Sequence, residues 1–255
     1  MIDILQTVPP DAWAMLVLAM LAAGIVKGIH GLGLPLVAVP ILSIAVPVQT
    51  AIAITLMPIL ITNLYQIRIG RDMLPVARRL LPMLVGLFGG ILVGVYALTS
   101  LSDENVMVIL SGVILIFVGL RVAKPGWRIS PGMERRLALP VGILAGLIGG
   151  VSSLFGVPIA MFLSALGLDR DTFVRAVGLS FVTGLVPLYI GLATFEALGL
   201  REILLSILAL GPVFVGYWAG QAVRHRISER AFHWGFTILL GVIALNLLRK
   251  GLFPV

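Results

Sequence analysis

An all-α polytopic membrane protein, built as an inverted repeat of two halves, is the fold class this sequence predicts. Three observations predict it. Apolar residues make up 60% of the 255-residue chain and charged residues 11%, with a mean hydropathy of +1.13. Apolar runs of about 20 residues recur throughout, the length that crosses ~30 Å of hydrocarbon. The second observation is a break inside the first such run, Gly24-Ile-Val-Lys-Gly-Ile-His-Gly-Leu-Gly-Leu-Pro35, in a stretch with no acidic residue from Ala12 to Gly70. Gly costs about 1 kcal/mol and Pro about 3 kcal/mol in a helix interior. Unpaired backbone costs more in hydrocarbon, so such a break survives only where protein or a water-filled cavity covers it. The third observation is that the break recurs as Gly146-Leu-Ile-Gly-Gly-Val-Ser-Ser-Leu-Phe-Gly-Val-Pro158, about 122 residues on. Paired broken helices in the two halves of a membrane protein mark a binding site at mid-depth.

The elements follow in order. A first helix over 12–29 has Trp13 at the interface, and after the break comes a short apolar piece, 34–46. At ~1.5 Å per residue that piece reaches only ~20 Å, short of a ~30 Å core, so the pair is expected to pack as a re-entrant hairpin inside the protein, the alternative being two full crossings. Helices over 50–67, 80–99 and 105–120 complete a first repeat, 1–120. Gly86, Gly90 and Gly94 give the fourth element a close-packing face. A basic linker over 121–136 is expected in the cytoplasm. The second repeat, 137–255, runs through 137–151, the second break, 157–168, 173–193, 203–223 and 231–248. Gly216 and Gly220 echo the glycines of the first half. That makes eight to ten membrane segments. The N-terminus lacks the basic start and cleavage site of a signal peptide, so the first helix is expected to stay attached.

Parity orients the halves. Each broken pair makes an even number of passes and three helices follow it, so the second repeat enters the membrane upside down relative to the first. Placing the loop after 50–67 in the cytoplasm puts fourteen basic residues inside and three outside, with Lys27 within the membrane. Positive residues collect inside. The net charge of +7 is therefore spent in short loops, which excludes a nucleic-acid reading. With no cysteine, disulfides, thiolate metal sites and cysteine nucleophiles are excluded. No metal-ligand cluster, paired intramembrane carboxylates or phosphate loop is present, so neither an enzyme nor a cofactor is expected.

The same residues resemble the sulfite exporter TauE/SafE family, also called the toluene-sulfonate uptake permease family. The resemblance rests on Gly24, Gly28, Gly31, Gly33 and Pro35 with Pro40-Ile-Leu42 after them. It continues through Thr55-Leu-Met-Pro-Ile-Leu-Ile-Thr-Asn-Leu-Tyr-Gln-Ile-Arg-Ile-Gly-Arg71, the second break and Arg175-Ala-Val-Gly-Leu-Ser180, and covers nearly the whole chain. It implies a carrier in a bacterial inner membrane for small sulfur-containing anions such as sulfite or organosulfonates, working as an exporter by alternating access. The alternatives are an anion channel and a membrane scaffold without flux. The partners implied are the anion, membrane lipids and, as a homodimer, a second copy. Where family members often carry serine and further glycine in the first break, this chain has Lys27 and His30.

The candidate substrate-binding residues are Lys27, Gly28, His30, Gly31, Gly33, Asn63, Gln66, Ser152, Ser153, Gly156 and Arg175. Lys27 lies ~21 Å along its helix from Trp13 at 1.5 Å per residue. No carboxylate stands in the middle of any apolar run, so an anionic substrate is a suitable counter-charge for a buried lysine. The alternative is that Lys27 snorkels to the surface. His30 either contacts substrate and titrates near neutrality or packs in the broken turn. Ser152 and Ser153 either donate to a sulfonate oxygen or cap the amides of the break. The glycines let helix starts aim amide N–H groups and partial positive charge at an anion. Asn63 and Gln66, three apart, share a face that lines the cavity or glues two helices. Arg175, four residues after Asp171, either pairs with it or gates the substrate. Trp127, Trp218 and Trp234 read as interface anchors.

Overall fold

The computed structural model describes residues 10–67, 73–123, 128–195, 198–223 and 229–253. Among them every regular element is a helix: α1 (Pro10–His30), α2 (Leu34–Leu42), α3 (Val48–Ile67), α4 (Met73–Ser100), α5 (Asp103–Ala123), α6 (Pro131–Ser152), α7 (Gly156–Ala165), α8 (Arg170–Thr194), α9 (Leu200–Leu208), α10 (Leu210–Val223) and α11 (Glu229–Leu252). Among the described residues six stretches are long and apolar enough to cross a membrane: Val48–Tyr65, Leu74–Ser100, Asp103–Leu120, Pro131–Ser152, Asp171–Thr194 and Leu200–Val223. The protein is a multi-pass membrane protein.

Several boundaries differ from the expected ones for local reasons. The linker expected over 121–136 is partly helical, because α6 begins at Pro131. Ser130 caps it, its hydroxyl accepting from the Met133 amide at 3.4 Å, with Pro131 at the first position and Glu134 in the first turn. Those are the residue types that open a helix. Residues 124–127 of the linker, including Trp127, lie outside the described residues. The fourth helix starts at Met73, seven residues before the expected 80. The helix expected over 203–223 is two pieces interrupted at Ala209. Pro212 has no N–H for the Leu208 carbonyl four residues back, which weakens the ladder there. The α8 start is capped by Asp169, which accepts from the Thr172 amide at 2.9 Å. The Thr172 side chain and amide hold its carboxyl below the usual range.

Both breaks are built alike. The first helix of each pair ends in a residue with left-handed backbone, Gly31 at φ 81° and Ser153 at φ 62°. Gly31 donates its amide to the Lys27 carbonyl at 2.7 Å, and Ser153 donates its own to the Gly149 carbonyl at 2.6 Å. Glycine takes that conformation at no steric cost, whereas serine is strained in it. The following helices, α2 with 9 residues and α7 with 10, are too short to cross a bilayer. Gly33, at φ 106°, starts α2 without a side-chain cap, and Phe155 starts α7 likewise.

Packing joins elements across the chain. The most extensive helix contact is α4 on α6, followed by α1 on α10. Both are glycine interfaces. Gly86 lies against Leu139 and Ile143, Gly90 against Ile143 and Gly146, and Gly94 against Leu147 and Gly150. Position rises together on both helices, so α4 and α6 run parallel. Gly24 lies against Val213 and Tyr217, and Gly28 against Tyr217 and Gln221, so α1 and α10 are parallel too. Gly251, at the end of α11, sits on Glu104 and Val108 at the start of α5, which makes that pair antiparallel. Arg79 of α4 forms a two-pronged ion pair with Glu134 of α6, at 2.7 and 2.8 Å.

The glycine faces give a first expected result. A Cβ at Gly90 would stand 2.5 Å from the Ile143 carbonyl oxygen, backbone that cannot step aside, whereas a Cβ at Gly112 meets nothing within 4 Å. Overpacking costs roughly 1–3 kcal/mol, while Gly→Ala in an open helix interior gains up to about 1 kcal/mol. Gly90→Ala should lower the melting temperature of the detergent-solubilised protein, and Gly112→Ala should hold or raise it. Equal shifts would mean that the α4–α6 contact is not close-packed.

Candidate anion site

Lys27 sits in the last turn of α1, 2% exposed. Its Nζ donates to Asn63 Oδ1 of α3 at 3.2 Å and lies 5.8 Å from the centre of the Phe181 ring of α8. That is within the range at which an ammonium is attracted to an aromatic face. Asn63 is fully buried, and its Nδ2 donates to the Ile59 carbonyl one turn back at 2.7 Å. The carboxamide is thereby oriented with its oxygen toward the lysine. Lys27 therefore does not snorkel out; it is held inside the helix bundle.

Phe181 connects this pair to the second break. Its ring packs on the Phe155 ring, 4.8 Å between centres, and presses on Gly156, where a Cβ would collide with the ring tip. Phe181 also lines a cavity of about 930 Å³. Its wall includes Leu32, Gly33 and Pro35 from the first break, Leu154, Gly156 and Pro158 from the second, and Phe181. Both short helices thus begin at one cavity, and with them the partial positive charge of two helix N-termini. The rest of the wall is largely apolar, from α5, α6 and α7, with Arg128 as its charged side chain.

The expected site residues divide by position. Gly33 and Gly156 lie on the cavity wall, and Lys27 and Asn63 lie together behind Phe181. Gly31 is the left-handed residue that ends α1. Gly28 is occupied in packing on the Tyr217 backbone of α10. Ser152 caps the break: its hydroxyl donates to the Ile148 carbonyl at 2.7 Å and accepts from the Leu154 amide at 3.2 Å. The Ser153 hydroxyl is buried with no hydrogen-bond partner among the described residues. Arg175 donates through Nε to the backbone carbonyl of Asp171 at 3.2 Å and through Nη2 to the Thr172 hydroxyl at 3.3 Å. It stands six residues, ~9 Å along α8, from Phe181. The side chains of His30, Gln66 and Trp234 lie outside the described residues, and Trp218 is 65% exposed. Among the described residues no group of three or more His, Cys, Asp or Glu could hold a metal.

Phe181 and Phe155 were not legible as site residues. They sit in segments apolar on every side, where a phenylalanine reads as one more lipid or core contact. The available signal was adjacency: Phe155 falls inside the second break, and Phe181 directly follows Ser180 of the α8 motif.

Comparison with curated proteins and with solved structures returns no match. A family model does match, over residues 16–247, from the first helix through both breaks and the Lys27–Asn63 pair into α11. The chain belongs to the sulfite exporter TauE/SafE family.

Proposed function

We propose that the protein is a secondary transporter that exports small sulfur-containing anions, such as sulfite or organosulfonates, across the inner membrane of a bacterium. The observation that carries this reading is that the two helix breaks, far apart in sequence, share one cavity wall with a buried lysine behind it. Broken helices whose N-termini meet at mid-depth are the arrangement that holds an anion without a water shell. A scaffold has no use for an intramembrane ammonium, which is costly to bury.

The inverted relation of the two repeats, 1–120 and 137–255, belongs to the same proposal. The direction of packing supports it. Within one half the first and fourth elements run in opposite directions by parity. Parallel contact of α1 with α10 and of α4 with α6 is what halves upside down relative to each other would give. Same-way repeats would make both contacts antiparallel. The fourteen-to-three distribution of basic residues orients the assembly with the 121–136 region inside. Alternating access would move elements around the cavity, exposing it first to one side and then to the other.

Purified protein in proteoliposomes tests the function. Radiolabelled sulfite or a small organosulfonate should enter with saturable kinetics and exchange against unlabelled anion trapped inside. Flux that does not saturate and carries unitary current would replace the carrier with a channel, and silence towards every sulfur anion would remove transport.

A further inference from the structure

We propose that Phe181 is a movable partition between the cavity and the Lys27–Asn63 pair, and that its displacement gives an anion access to the buried ammonium. The substrate chemistry rests on the transport reading above; the partition itself is a statement about access.

Three contacts define the partition. One face of the residue's surroundings is the cavity, whose wall includes Phe181 but neither Lys27 nor Asn63. On another side is Lys27 Nζ, 5.8 Å from the ring centre. The ring tip rests on Gly156, the first residue of α7, where the missing side chain leaves it just enough room. Phe181 thus belongs to the cavity wall and stands beside a charge that does not. A phenylalanine is suited to the position in both states. Its π-face is attractive to the ammonium while the site is closed. The same ring offers nothing to an anion, so a substrate that binds Lys27 competes with it for one cation. The cavity beyond is largely apolar, so a ring that swings into it leaves one apolar contact for another. Rotamer changes of this kind need no movement of the backbone.

The position of Gly156 carries a second consequence. A methyl group there would collide with the ring tip, pushing Phe181 off its seat without removing it. Gly156→Ala and Phe181→Ala therefore act on the same partition by different means, one displacing the ring and the other deleting it.

The absence of cysteine in the chain makes the test direct, because one introduced thiol reports one position. Lys27→Cys is reacted with sulfonatoethyl methanethiosulfonate, a small sulfonate reagent, in the otherwise unchanged protein and again with Phe181→Ala, Phe181→Leu or Gly156→Ala added. Ser164→Cys, on the cavity wall, is the control for entry into the cavity itself. The expected result is slow labelling of position 27 behind Phe181 and labelling about tenfold or more faster in each opened background, a change of at least one decade in rate. The control should label at one rate in all of them. Position 27 labelling equally fast with and without Phe181 overturns the proposal, as does a control whose rate rises in step. Phe181→Leu and Gly156→Ala keep the question answerable if Phe181→Ala does not fold. Because labelling reads access and not flux, a protein that labels as expected yet transports no anion would refute the transport reading alone.

Discussion

Replacing Lys27 with methionine is expected to weaken binding of the transported anion by about 2–5 kcal/mol, the usual consequence of removing one member of a buried charge pair. That corresponds to a loss of roughly 30-fold at the least. The protein should nevertheless fold. Methionine keeps the unbranched stem beside Phe181 and removes a charge that costs ~2.5–3.5 kcal/mol at the centre of a membrane helix. Against that gain stands the lost hydrogen bond to Asn63, about 1.5–3 kcal/mol for a bond to a charged donor. Stability should therefore change little while binding collapses, and it is the separation of the two that makes the variant informative. Thermal shift with sulfite and with small sulfonates, run beside the melting temperature without ligand, measures both, since a ligand stabilises in proportion to its affinity. Lys27→Arg keeps the charge but presents a planar fork in place of a compact ammonium, so it should retain weak binding. Unchanged ligand-induced stabilisation in Lys27→Met would move the anion site to the helix starts at Gly33 and Gly156.

Asn63→Leu should do the reverse, lowering stability first. It removes the carboxamide oxygen that accepts from Lys27 at 3.2 Å, in a region where neither residue is more than 2% exposed. A hydrogen bond to a charged group is worth about 1.5–3 kcal/mol, and the penalty grows when the charge stays buried. The expected loss is ~3 kcal/mol, a difference that thermal unfolding in detergent resolves. The double variant Lys27→Met, Asn63→Leu should recover most of that loss, because the charge and the Asn63 acceptor leave together and two apolar side chains pack in their place. If the double variant is as unstable as the sum of the singles, the bond does not couple the two positions, and Asn63 serves α3 alone through the Ile59 carbonyl.

The sequence by itself determined what depends on near neighbours along the chain and on the solvent. Runs of apolar residues around 20 long have one stable form in a bilayer, so the all-helical class follows from composition. The two breaks were legible because clustered glycines followed by a proline weaken a helix at one place, and both α1 and α6 end within a residue or two of the expected places. The spaced glycines of α4 and α10 announced close contact. Lys27 stood out because a charge in hydrocarbon demands an explanation.

Only the tertiary structure decided which surfaces meet. Spaced glycines say that a backbone approaches but not whose, and the partners turned out to lie in the other half, α6 for α4 and α10 for α1. Lys27 could be read as buried or as snorkelling, and the outcome depended on Asn63, 36 residues away, being held in place by its own helix. The serines of the second break are adjacent, yet Ser152 caps, while Ser153, in left-handed backbone, leaves its hydroxyl without a hydrogen-bond partner among the described residues. The role of Phe181 was invisible in sequence for the same reason. Its significance comes from standing between a lysine of α1, a glycine of α7 and a cavity, and three-body geometry of that kind is set by packing across the bundle, not by any periodicity along the chain.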